Sequence, residues 1–89
     1  MKNDDRIQIL TESGESWTGT WKEMIDVNPD WLANILHNVF HVKDLTEMLD
    51  RGEAYNGGGS NKGERFFVFR KRFEVSDFPS IKKYKGYTE

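Results

Sequence analysis

The chain has no cysteine, so neither a disulfide nor a thiolate zinc site can hold it, and the fold must rest on packing. That composition suits a reducing compartment, and we expect a cytoplasmic protein. Long apolar runs are also missing. The charged opening Met1-Lys2-Asn3-Asp4-Asp5-Arg6 is followed only by Ile7 to Leu10, too short for a signal-peptide core or a membrane span. An unprocessed chain with no membrane contact is the expectation. With only two histidines, and acidic residues scattered over caps and turns, no nucleophile with its base and no contrasting carboxylate pair stands out. The reading is a protein that is not an enzyme and carries no cofactor.

Eighty-nine residues leave room for one hydrophobic core. Twelve aromatics supply much of the apolar content, and each can bury roughly 150–250 Å². The net charge of −2 conceals a split: residues 1–61 carry five basic and eleven acidic side chains, residues 62–89 eight basic and four acidic. Acidic helices neutralising a basic sheet within one fold account for this split more simply than two binding faces of opposite sign.

Along the chain, Arg6 to Leu10 has β-branched residues at 7 and 9 and runs into the turn-prone Thr11-Glu12-Ser13-Gly14, which predicts a first strand, with Trp17 to Gly19 as its hairpin partner. Thr20 and Glu23 have capping-box spacing, and Trp21, Met24 and Ile25 recur at i, i+3 and i+4, predicting a helix over 21–27. Asn28-Pro29 is a second start signal, with Val27 placed to staple onto Leu32. Over residues 30–41, Trp31, Leu32, Ile35, Leu36, Val39 and Phe40 fall on one half of a helical wheel. Asp44 with Glu47 reads as another cap, Leu45, Met48 and Leu49 as an apolar stripe, and Gly52 as the stop of a third helix, 45–51.

Glu53-Ala54-Tyr55 and Arg65 to Val75 flank the glycine-rich stretch 56–63, so antiparallel strands joined by a long loop are expected. In the second strand Phe67, Phe69, Phe73 and Val75, sharing their face with Lys71, alternate with Phe66, Val68, Arg70, Arg72 and Glu74. The first set is assigned to the core, packed against the residue 30–41 helix. The fold class is therefore α+β: a short N-terminal strand or hairpin, three short helices, then a long-loop antiparallel hairpin packed on them. Residues 1–78 form the domain, and 79–89 a basic and aromatic C-terminal tail.

Several motifs carry chemistry and each has a plainer reading. His37 and His41 have the i, i+4 spacing of metal ligands, with Asp44 as a conceivable third, but both lie mid-way round the polar half of the helix and position 38 lacks the protease glutamate. Two solvated histidines and no metal is the reading adopted. The glycine stretch fails as a phosphate loop, since Lys62 is followed by Gly63 and a strand comes next. Lys62 to Phe69 overlaps part of the RNA-recognition signature, with Glu64 where an aromatic belongs, and core phenylalanines explain it more economically. Three helices before a hairpin match the outline of a winged helix, yet Asp44, Glu47 and Asp50 on the would-be recognition helix would repel phosphate.

What remains is a binding protein acting through a macromolecular interface, an adaptor or inhibitor of a protein or nucleoprotein partner, as small phage-like or mobile-element-like factors are. The partner-facing residues assigned are Arg70, Arg72, Lys82, Lys83, Tyr84, Lys85 and Tyr87, because interfaces favour arginine and tyrosine. The alternative is a nucleic-acid-binding module that adds Lys62 and Arg65 to this set. The arrangement of the basic side chains decides between the two: one exposed stripe favours nucleic acid, pairing with the acidic helices disfavours it.

Overall fold

The computed structural model describes residues 2–26, 30–58 and 65–78, apart from the side chains of Asp30, Trp31 and Asn34. Within them the order is β1 (Arg6–Thr11), β2 (Ser16–Thr20), α1 (Trp21–Asp26), α2 (Asp30–Val39), α3 (Leu45–Asp50), β3 (Tyr55–Gly57), β4 (Phe66–Arg70) and a 3₁₀ turn, Val75–Asp77. The four strands form one antiparallel sheet in the order β2-β1-β4-β3, so the fold is α+β as expected.

The β1–β2 hairpin is longer than the sequence suggested. Its strands pair from Arg6 opposite Thr20 to Leu10 opposite Ser16. The turn works because Gly14 adopts φ 101°, where a side chain would be strained, and because the buried Thr11 hydroxyl accepts the Glu15 N–H at 3.0 Å. The Thr20–Glu23 capping box forms as its spacing predicts: Glu23 N–H reaches the Thr20 hydroxyl at 3.1 Å and Thr20 N–H reaches the Glu23 carboxylate at 3.3 Å. At α3 the expectation fails, since Asp44 precedes the helix with no side-chain cap bond. The stop at Gly52 holds: with φ 85°, Gly52 donates to the Leu49 carbonyl and Glu53 to that of Met48, a Schellman pair closing the last turn. The Asn28-Pro29 restart and the Val27 staple fall outside the described residues.

Every residue of β4 from Phe66 to Phe69 is buried, so the strand has a core on each side. On one side Phe66 and Val68 join Ile7 and Ile9 beneath Met24 of α1, Leu32, Ile35, Leu36 and Val39 of α2, and Leu45 and Leu49 of α3. On the other, Phe67 and Phe69 join Leu10 beneath Ala54, Phe73, Val75 and Phe78. The assignment of Phe67, Phe69 and Phe73 to the helix-facing side is thus corrected: α2 sits on Phe66 and Val68. The 65–75 strand is corrected too. It ends at Arg70, where the Phe73 N–H bonds back to the Arg70 carbonyl, and the turn carries Phe73 and Phe78 across the back of the sheet, with Phe78 4.9 Å from the Phe69 ring.

Two apolar side chains expected inside are outside. Ile25 is 53% and Phe40 46% exposed. Helix α2 stops at Val39, so Phe40 leaves the wheel on which it was placed, and in the short α1 only Met24 is fully buried.

Candidate functional site

The register of the sheet brings the described members of the assigned set to one corner. Arg70 ends β4 opposite Ile7, on the face that carries the helices, and Asp50 ends α3 on that same face. The Arg70 guanidinium spans two carboxylates, with Nη2 2.9 Å from Asp5 Oδ1 and Nη1 2.9 Å from Asp50 Oδ1, and its side chain is only 17% exposed. Asp5 stands just before β1, tied by the Lys2 backbone N–H at 2.7 Å. That backbone bond, with Arg70 alongside, outweighs partial desolvation and holds the Asp5 carboxyl below its ordinary value.

Arg72 is exposed and donates at 2.8 Å to the Asp50 backbone carbonyl, one of the carbonyls that a helix C-terminus leaves without an intrahelical partner. Its guanidinium also lies 5.0 Å from the Phe73 ring centroid. Two adjoining depressions open here, of about 360 Å³ beside Lys2, Asp5, Asp50 and Arg70 and about 340 Å³ beside Asp4, Arg6, Lys71 and Arg72. Together five basic side chains meet three carboxylates. Among the described lining residues none is a serine, threonine or histidine; the corner offers charge and hydrogen bonding.

The corner borders an apolar patch. Trp21 N–H donates to the Asp5 carbonyl at 2.7 Å, which seats the start of α1 on the N-terminal segment. Trp21 in turn meets the exposed Phe40 edge to face, ring centroids 6.2 Å apart, and the exposed Ile25 lies one turn further along α1. Asp5 and this patch were not singled out from the sequence, and Asp50 stood out there only as an acidic residue of the third helix. The carboxylates are remote from Arg70 along the chain, and Ile25 and Phe40 belong to stripes that look buried.

Of the other candidates, Lys62, Lys82, Lys83, Tyr84, Lys85 and Tyr87 lie outside the described residues. His37 and His41 are exposed with ring centroids 5.1 Å apart, and among the described residues no three His, Asp or Glu side chains gather as a metal would need. Phe66, Phe67 and Phe69 are buried and offer no ring face for a base to stack on. No described helix is long and apolar enough to cross a membrane. Compared with protein-family models, curated proteins and solved structures, the chain matches none.

Proposed function

We propose that this is a small, non-enzymatic cytoplasmic binding protein, an adaptor or inhibitor that docks on a protein partner. Its surface has the Trp21, Ile25 and Phe40 patch at the centre and the Arg6, Lys71 and Arg72 corner as a charged flank. The reading is carried by one observation: Phe40 is an exposed large apolar side chain that meets the half-buried Trp21 edge to face, and Ile25, also exposed, follows one turn along α1 from that tryptophan. Aromatic and apolar residues at the centre with a polar rim is the anatomy of protein interfaces. The flank has more basic than acidic groups, so the matching surface is apolar with an acidic margin. Nucleic acid is the weaker reading, because among the described residues Arg70 is bound to Asp5 and Asp50 and Arg72 to the end of α3.

The test compares tagged parent, Phe40→Glu and Arg72→Glu in co-purification from the native host, with nuclease treatment and mass spectrometry. A partner retained by the parent after nuclease, lost with Phe40→Glu and weakened with Arg72→Glu supports the reading. Retention of the same partner by Phe40→Glu, with circular dichroism unchanged, overturns it. Loss of all binding on nuclease treatment, with a steep fall in affinity as salt rises, would transfer the function to nucleic acid.

A further inference from the structure

We propose that the outer edge of β2 pairs with the β2 edge of a second copy of this chain, joining two four-stranded sheets into one. In the β1–β2 ladder, hydrogen bonds flank the strand at both ends: Thr11 N–H to Glu15 O at 2.9 Å and Trp21 N–H to Asp5 O at 2.7 Å. Because bonding alternates along an antiparallel pair, odd-numbered residues of β2 point their backbone groups at β1 and even-numbered ones point away. Thr20 is consistent with this, since its outward N–H goes to Glu23. Ser16 and Thr18 are left with outward backbone groups that no described residue meets, at the end of the order β2-β1-β4-β3.

An open edge invites another strand, and proteins guard such edges with charged residues, proline or bulges. This edge has none of them. Almost a third of the chain is charged, yet Ser16-Trp17-Thr18-Gly19-Thr20 carries no charge and no proline, and its register with β1 is continuous. The edge also suits itself. With Thr20 committed to the cap of α1, two-fold pairing sets Ser16 of one copy opposite Thr18 of the other and the reverse, and cross-strand hydroxyl pairs of this kind are favourable. The turn leading into β2 carries Glu12, while Lys22 follows just past its far end, so antiparallel copies bring opposite charges to each end of the joint. Glu23, also at that end, is occupied by Thr20.

Sedimentation velocity of the full chain across a concentration series, with Thr18→Pro and Thr18→Lys, tests this. The parent is expected to shift from monomer to dimer as concentration rises, and both variants to remain monomeric. Thr18 is exposed and its N–H takes no part in the β1 ladder, so Thr18→Lys should keep the parent melting curve even if Thr18→Pro perturbs the strand. A parent that stays monomeric throughout, or a folded Thr18→Lys that dimerises as the parent does, overturns the proposal. Phe40→Glu leaves this edge intact, so failure of the protein-binding reading would not alter the result.

Discussion

Replacing Phe69 with leucine tests whether the sheet carries a core on both sides. Phe69 is fully buried and shares its layer with Leu10, Phe67 and Phe78, whereas Leu36 belongs to α2 and packs on the opposite face of the sheet. A chain of this size has only about 4–13 kcal/mol of stability in total, so mild substitutions are needed to keep double variants folded. Phe69→Leu removes part of a ring from a close-packed layer and should cost about 1–2 kcal/mol. Phe78→Leu should cost less, because that ring is only partly buried. The rings of Phe69 and Phe78 lie 4.9 Å apart and tilted by 54°, so the double variant should lose less than the sum of the singles, by about 0.5–1.5 kcal/mol. Leu36→Val, separated by the sheet, should add to Phe69→Leu within about 0.5 kcal/mol. Urea titrations followed by circular dichroism, with a shared slope for all variants, give each free energy. Coupling of Phe69 to Leu36 without coupling to Phe78 would place the ring under the helices and refute the two-layer arrangement.

Two further outcomes follow from local geometry. Gly52→Ala puts a side chain at φ 85° with its Cβ 2.8 Å from the Phe73 ring, and should lower stability by about 1–2 kcal/mol in the same titration; a neutral result would mean that the α3 stop and Phe73 relax freely. For Asp5, a carboxyl held below its unfolded value of about 3.8 stabilises the fold at neutral pH, and that contribution fades as pH falls through the lowered value. Melting temperatures measured from pH 6 down to about 2 should therefore fall less steeply for Asp5→Asn than for the parent, and equal slopes would show that the Asp5–Arg70 pair adds nothing.

Local signals were legible where they act over a few residues. The apolar period of Leu32, Ile35, Leu36 and Val39 placed α2, the Thr20–Glu23 spacing placed the start of α1, and Gly52 marked the end of α3. The face of β4 was not legible, for a physical reason. Phe66-Phe67-Val68-Phe69 is apolar at every position, so alternation carries no information about which side meets the helices, and here both sides are covered. The corner was half legible. Arg70 and Arg72 stood out as basic residues ending an apolar run, but pairing of Arg70 with Asp5 and Asp50 depends on the sheet order and the position of α3, which no short-range pattern encodes.

The order β2-β1-β4-β3 also bears on how the protein emerges from the ribosome. Its central ladder joins the first strand to the last, with Ile7 opposite Arg70 and Thr11 opposite Phe66. Until β4 has been synthesised, β1 can pair only with β2, and Ile7, Ile9 and Leu10 lack the phenylalanine strand against which they are buried. A nascent chain ending before residue 66 is therefore a lone hairpin followed by short helices, none of them stable by itself. Closing so long a loop is slow relative to local contacts, so folding is gated by the arrival of one five-residue strand.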